Sequence, residues 1–145
     1  MIRNLYVSSS NNKIIKNQVH KLVGLLKKEL NFSIQSLFIN FTNGEEIHKI
    51  NEKYLNHDYS TDIITFNYSG SYLDLDGEIY ISLDDALRLS HKYRVSLNSE
   101  LRRLIIHGIL HLSGYKDIDK KDKKKMKRKE NNLLNMYKFV LLRYE

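Results

Sequence analysis

The sequence predicts an α+β domain in which a four-stranded mixed sheet is packed with about five helices. Four segments are rich in β-branched and aromatic residues, which is typical of strands. Between and after them lie segments whose apolar residues recur every three or four positions, which is typical of amphipathic helices. At 145 residues the chain has the length of one ordinary domain, so we expect residues 1–145 to form a single domain.

The first half of the chain predicts two strands and two helices. "LYVSS" is a short apolar, β-prone strand, and "SIQSLFINFT" is a second strand with imperfect alternation of apolar residues. Between them, apolar residues over 15–30 recur at helical spacing and predict one long helix. Thr42 and Glu45 have the spacing of a capping box, which predicts that a further helix begins there and extends to about Tyr54.

The next stretch predicts two more strands followed by a helix. The segments 61–68 and 77–83 are rich in Ile, Thr, Phe and Tyr, and turn-forming residues join them. Ser82 followed by Asp85 is typical of a helix start, and the helix is expected to end near Lys92.

Two helices are predicted for the C-terminal part. Ser96 or Asn98 is expected to cap a strongly apolar helix, and Gly114 is expected to end it in a left-handed conformation. From about Asp119 a last helix is expected to run to the C-terminus, basic in its first half and apolar in its second.

Composition excludes several classes of site. The chain has no cysteine, so it can form no disulfide, Cys-type zinc site or catalytic thiolate, and any metal must be held by histidines and carboxylates. There is no run of about 18 apolar residues and no charged leader with an apolar run behind it. We therefore expect a soluble, cytoplasmic protein.

The positive charge of the chain lies in one place. Residues 120–129 contain eight Lys or Arg and one Asp, which accounts for the whole net charge of +7. Such a patch favours a polyanion partner, because each neutralised phosphate releases counterions. The alternative is a solvated helix face. The candidate RNA-binding residues are Lys120, Lys121, Lys123, Lys124, Lys125, Lys127 and Arg128.

The segment "HGILHLSGYKD" (107–117) predicts a metal site. His107 and His111 are one helical turn apart on the same face, and Gly114 allows the chain to turn back so that Asp117 can provide a third ligand. A role for Asp117 as a helix cap or a surface acid remains the alternative.

The spacing of this segment also indicates which reactions the metal site can catalyse. It is the spacing of metzincin zinc proteases, with Asp as the last ligand, but Gly108 stands where those enzymes have a Glu that acts as general base. Protease chemistry by that route is not expected. Three protein ligands leave room for a water, whose pKa a zinc ion lowers to about 7, so hydrolysis is the expected use.

The same segment resembles the H-G-x-L-H-L-x-G-Y-D-H signature of the YbeY-type endoribonucleases, which are bacterial ribosomal RNA maturation factors. "IHKINEKYLNHDYSTDIITFNY" is similar to that family's N-x-x-Y-x-x-x-D-x-x-T-[DN]-V-L-[ST]-F segment, and "GEIYIS" is similar to its G-D-I-x-I-S strand. The resemblance implies that His107, His111 and the position of Asp117 bind one divalent metal, zinc by preference, in a metal-dependent hydrolase domain. Members of the family usually have His at the last of these positions.

The resemblance further implies a zinc-dependent endoribonuclease that cleaves single-stranded RNA. Its expected partners are ribosomal RNA and the small ribosomal subunit, and its expected roles are small-subunit 3′-end maturation and ribosome quality control. The alternative is a ribosome-assembly or RNA-binding factor with a mainly structural metal and little nuclease activity. A metal-bound water is the expected nucleophile, although attack by the 2′-hydroxyl of the RNA remains open.

No side-chain base is evident, and the other catalytic candidates are Arg103, Asp62 and Thr65. Arg103 lies four residues before His107 and can supply positive charge to a phosphoryl group, or can be a solvated arginine at the start of its helix. Some members of the family that the chain resembles have an Arg at the position of Leu55. Because a Leu cannot stabilise phosphoryl charge, another cation would have to do so here. Asp62 and Thr65, with Asp58 and Thr61, match family positions near the third strand. Three histidines have no metal-ligand spacing to the segment 107–117 and are expected to be ordinary surface or core residues: His48, His57 and His91.

Overall fold

The computed structural model describes residues 1–55 and 61–143, with the side chain of Leu55 outside that description. In this part of the chain it contains four strands and five helices, which confirms the α+β prediction. The elements, in order, are β1 (Leu5–Ser9), α1 (Lys16–Leu30), β2 (Ser33–Thr42), α2 (Gly44–Leu55), β3 (Ile63–Asn67), β4 (Asp74–Ser82), α3 (Leu83–Tyr93), α4 (Leu97–Leu112) and α5 (Lys120–Met136).

The sheet is mixed, as predicted, and its strand order is β1-β2-β4-β3. β1 pairs with β2 and β2 pairs with β4 in parallel. Helix α1 crosses over between β1 and β2, whereas the chain returns from the end of β2 to the start of β4 through β3. β3 pairs with β4 in the antiparallel sense, with Ile63 opposite Ile81 and Thr65 opposite Ile79. β3 is therefore an edge strand.

Apolar residues cover both faces of the sheet, but unequally. The main core includes Leu37 and Ile39 of β2, the buried stripe of α1 and the apolar side of α4. On the opposite face a smaller cluster forms where Ile47 and Ile50 of α2 pack with Ile64 of β3. Because side chains alternate along a strand, Ile63 and Thr65 lie on the face that α4 covers.

Side-chain caps fix where several helices begin. Ser82, Ser96 and Asp119 each accept a hydrogen bond from the backbone N–H three residues later, at the starts of α3, α4 and α5. The predicted cap at Thr42 is wrong, because Thr42 is still paired with Ser82 at the end of β2. Asn43 takes that role, since its Oδ1 accepts from the N–H of Glu46 at 2.8 Å.

The prediction that the last helix runs to the C-terminus is also wrong. α5 ends at Met136, and the chain then continues in an extended form. The N–H of Ile15 donates to the carbonyl of Leu141 at 2.7 Å, and Leu142 bridges Ile14. Leu141 and Leu142 are buried there, so an extended segment can bury apolar residues without a helix. A short apolar run does not by itself distinguish these two conformations.

None of the helices in residues 1–55 and 61–143 is both long enough and apolar enough to cross a membrane.

Candidate metal centre

Helix α4 places the two histidines of the predicted site side by side. One side of α4 is buried in the main core, and the side bearing His107 and His111 is half-buried. Their Nε2 atoms are 3.1 Å apart. Two nitrogens bound tetrahedrally to one zinc ion at about 2.0–2.1 Å would be roughly 3.3 Å apart, so the helix sets a spacing suited to one ion.

The turn after α4 brings Asp117 to the histidines. Gly114 has a φ of +105°, in the region that favours glycine, and its N–H donates to the carbonyl of His111 at 3.1 Å. A Cβ at Gly114 would also meet the ring of Tyr72 at 3.1 Å. The turn leaves Asp117 Oδ2 at 3.7 Å from His111 Nε2, with 52% of its side chain exposed.

The three side chains can hold a metal ion. One ligand atom from each of His107, His111 and Asp117 lies within 4.8 Å of the other two. Two imidazole nitrogens and a carboxylate oxygen form a donor set that binds zinc and other divalent transition metals. The alternative role of Asp117 as a helix cap is wrong, because Asp119 caps α5.

Glu130 of α5 is part of this site, although it was not among the residues predicted from the sequence. Its Oε2 lies 3.0 Å from Nδ1 of His107, and only 2% of its side chain is exposed. An ionised carboxylate only accepts hydrogen bonds, so Nδ1 of His107 has the proton and Nε2 is free to bind an ion. The sequence could have indicated that this acid is buried, because Glu130 lies between Met126 and Leu133 on the apolar stripe of α5.

Arg103 also contacts Glu130, and it is not the solvated arginine considered above. Its guanidinium donates to both carboxylate oxygens of Glu100, at 2.9 and 2.6 Å, and to Glu130 Oε1 at 3.0 Å. Glu100 is buried, and 22% of the Arg103 side chain is exposed. These hydrogen bonds, those to Glu100 above all, raise the pKa of Arg103 above its ordinary value. Arg103 therefore links two buried carboxylates, and the catalytic role suggested for it stays a prediction.

Ionisation at the site follows from burial and from these contacts. Burial lowers the pKa of His111, and the neighbouring His107 lowers it further, whereas Asp117 opposes the shift. Burial alone would raise the pKa of Glu130, but hydrogen bonds from His107 and Arg103 outweigh it and lower that pKa. The lowered pKa of His111 favours the neutral imidazole, which is the form that binds a metal ion. The lowered pKa of Glu130 favours the carboxylate, which accepts a hydrogen bond from His107.

Gly108 lies against the sheet. A Cβ at this position would be 3.0 Å from Ile79 Cδ1 and 3.2 Å from Ile63 Cδ1. An acid placed directly after His107 would therefore enter the apolar layer between α4 and the sheet. The local packing supports the expectation that this site does not use a protease-type Glu at that position.

The other catalytic candidates lie at or near the start of β3. Asp62 Oδ2 is 3.9 Å from Nη2 of Arg103, and its Oδ1 accepts from the hydroxyl of Thr61 at 3.3 Å. Thr65 is half-buried on the sheet face that α4 covers. Asp62 therefore adjoins the network around Glu130, and the catalytic roles of Asp62 and Thr65 stay predictions.

The remaining histidines do not join the site within the described residues. His48 faces Glu52 at 3.7 Å on α2, and His91 is exposed in the last turn of α3. Asp58 and His57 lie outside the described residues, and of Leu55 only the backbone is described.

The basic residues lie on the exposed side of the N-terminal half of α5. The seven candidates from Lys120 to Arg128 are all exposed, while Met126 and Glu130 face inward. Nζ of Lys125 lies 5.8 Å from the ring centre of Tyr115, in the turn between His111 and Asp117. An open cleft of about 310 Å³ is lined there by Ser113, Gly114, Tyr115, Lys116, Asp122 and Lys125. The patch and the candidate metal centre are therefore neighbours.

Comparison with known proteins identifies the family. A family model described as Endoribonuclease YbeY matches residues 3–138. The chain is similar to the Endoribonuclease YbeY of Chlorobium phaeobacteroides, with 37% identity over 92% of each chain. It is similar to that of Cytophaga hutchinsonii, with 37% identity over 84% of this chain and 85% of the relative. It is also similar to the Endoribonuclease YbeY of Azobacteroides pseudotrichonymphae, with 49% identity over 65% of this chain and 67% of the relative.

The fold has a counterpart among solved structures. A protein of Thermotoga maritima, solved in solution, superposes with a TM-score of 0.67 and covers 90% of this chain and 87% of its own. At 23% identity this likeness bears on the fold alone. Because the family model spans nearly the whole sequence and relatives agree over most of their length, this chain belongs to the Endoribonuclease YbeY family.

Proposed function

We propose that this protein is a metal-dependent endoribonuclease that cleaves single-stranded RNA. We propose that it acts in the cytoplasm on ribosomal RNA of the small subunit, in 3′-end maturation and ribosome quality control. The observation that supports this most strongly is the convergence of His107, His111 and Asp117 in a chain of this family. Their donor atoms suit one divalent ion, for which zinc is our proposal.

The side chains of this site have separable tasks in the proposed reaction. His107, His111 and Asp117 would hold the ion, which when bound supplies Lewis acidity and a water of lowered pKa. Glu130 keeps the proton of His107 on Nδ1, away from the ion. The cleft beside Tyr115 and Lys125 is open to solvent, so a scissile phosphate can approach from the side of the basic helix.

The exposed lysines of α5 would bind the RNA backbone. The helix begins three residues after Asp117, so a strand that lies along its basic face also passes the candidate metal centre. Phosphate contacts of this kind position a strand without specifying its sequence. We therefore propose that the choice of cleavage site depends on the ribosomal particle.

The test is cleavage of a single-stranded RNA by purified protein, after metal analysis. We expect the wild type to contain about one zinc per chain and to cut, and removal of the metal by a chelator to stop cleavage until zinc is restored. His111→Ala should neither retain the metal nor cut. Cleavage by metal-free protein would contradict the proposal, and His48→Ala, on α2, is the matched control for loss of an imidazole.

A second candidate is a ribosome-assembly factor with a mainly structural metal. Two observations favour keeping it: Gly108 offers no acid beside His107, and Arg103 is engaged with Glu100 and Glu130. If the wild type holds metal and binds small-subunit particles but cuts no RNA, this candidate replaces the first.

A further inference from the structure

We propose that Glu130 is the positioning residue of the metal centre, and that Arg103 holds Glu130 in place. The inference rests on the metal site of the proposed function. It gives Arg103 the task of supporting a ligand rather than that of contacting the substrate.

Glu130 contacts His107 directly. The carboxylate is almost completely buried and has Oε2 at 3.0 Å from Nδ1 of His107. A carboxylate that accepts from the far nitrogen of a metal-binding histidine fixes the tautomer and the ring orientation and raises the basicity of the ligating nitrogen. Nε2 of His107 is then the unprotonated atom, and it points toward His111 Nε2.

Glu130 is itself held in place by Arg103. Its other oxygen, Oε1, accepts from Nη1 of Arg103 at 3.0 Å, and Glu100 binds the remaining edge of the same guanidinium with two hydrogen bonds. A lone buried carboxylate would be strongly unfavourable, and the cation compensates for it. Each oxygen of Glu130 thus has one partner, so its orientation is fixed from both sides.

His111 has different neighbours. Its Nε2 lies 3.1 Å from His107 Nε2 and 3.7 Å from Oδ2 of the exposed Asp117. His107 has the buried carboxylate of Glu130 at its Nδ1. A change at Glu130 should therefore act on His107 first.

This geometry gives Glu130→Gln a specific consequence. Arg103 only donates, so the oxygen of the new amide must face Arg103, and the amide NH₂ then faces Nδ1 of His107. The ring must accept at Nδ1, which moves its proton to Nε2, the ligating position. We expect the zinc affinity to fall by about 10- to 100-fold.

The test measures zinc affinity by competition with a chromogenic chelator, without RNA. Glu100→Gln is the matched control, because it also removes a buried carboxylate charge beside Arg103 but does not touch His107. It should stay within about threefold of the wild type. Equal losses of zinc affinity in Glu130→Gln and Glu100→Gln would show that Glu130 has a structural role only, and would overturn the proposal.

A second measurement needs no metal. Long-range ¹H–¹⁵N NMR on metal-free protein at a pH of about 8 reports which ring nitrogen of His107 has the proton. We expect Nδ1–H in the wild type and in Glu100→Gln, and Nε2–H in Glu130→Gln. Nε2–H in the wild type would overturn the proposal even if no variant folds. If the wild type binds no zinc, the proposed function fails, while the tautomer still decides the role of Glu130.

Discussion

The candidate metal centre has a buried half, formed by His107 and Glu130, and an exposed half, formed by Asp117. His107 lies on a helix that is packed against the sheet, and a buried carboxylate holds its far nitrogen. Asp117 lies on the exposed turn after Gly114, at 3.7 Å from His111. The half at His107 is therefore fixed by packing and hydrogen bonds before any ion binds, whereas the half at Asp117 is positioned by an exposed turn.

This difference separates what each half contributes. A ligand held in place before binding loses little conformational entropy when the ion arrives, whereas an exposed side chain must be ordered at that moment. Changes in the buried half should therefore affect both folding and metal binding. Changes in the exposed half should affect metal binding alone.

The largest effect is expected for His107→Ala, which removes a ligand and also the hydrogen-bond partner of Glu130 Oε2. Zinc affinity should fall more than about 100-fold, because loss of a ligand exceeds loss of a supporting contact. The free energy of unfolding of the metal-free protein should fall by about 1–3 kcal/mol, since a buried carboxylate loses a hydrogen bond. Chelator competition and urea unfolding measure the two quantities, and unchanged stability would show that the buried half is not preorganised as described.

Gly108→Glu tests the packing beneath the buried half. The new side chain would press on Ile79 and Ile63 and bring a charge into an apolar layer. We expect it to destabilise the fold by about 3 kcal/mol or more, and not to create a protease. Urea unfolding and a peptide-cleavage assay check both expectations. A stable variant that hydrolyses peptides would contradict the position assigned to Gly108.

Asp117→Ala tests the exposed half. Zinc affinity should fall by about 10- to 100-fold, while the stability of the metal-free protein should change by no more than about 0.5 kcal/mol, because the side chain is largely solvated. Asp119→Ala is the control: it should cost about 1 kcal/mol by removing the cap of α5 and leave zinc affinity unchanged. If Asp117→Ala destabilises the metal-free fold as His107→Ala does, the contrast between the two halves is wrong.

The smallest effect is expected outside the metal centre, on the basic face of α5. Replacing Lys123, Lys124, Lys125 and Lys127 by Gln should weaken binding of single-stranded RNA and flatten its salt dependence, by about 0.7 in the logarithmic slope per lost phosphate contact. Zinc affinity should not change. An unchanged salt slope would remove the patch from the proposed RNA path.

The sequence determined the class of fold and the part of the metal site that lies within one short segment, residues 107–117. Periodicity was sufficient for strands and helices whose apolar faces are long, such as α1 and α4. The capping-box spacing failed at Thr42, whose backbone is paired in β2. Periodicity failed after Met136, where Leu141 and Leu142 are buried in an extended segment against the start of α1. Both failures depend on partners distant in the chain, which local pattern does not contain.

At the site, the helical spacing of His107 and His111 and the turn at Gly114 were evident from the sequence, because both follow from local backbone geometry. Only the tertiary structure decided that Glu130, twenty-three residues after His107, accepts from it, and that Arg103 and Glu100 complete the network. The position of Glu130 on a buried stripe indicated a buried acid. Its partner depends on how α5 packs on α4, and that packing is set by the whole core.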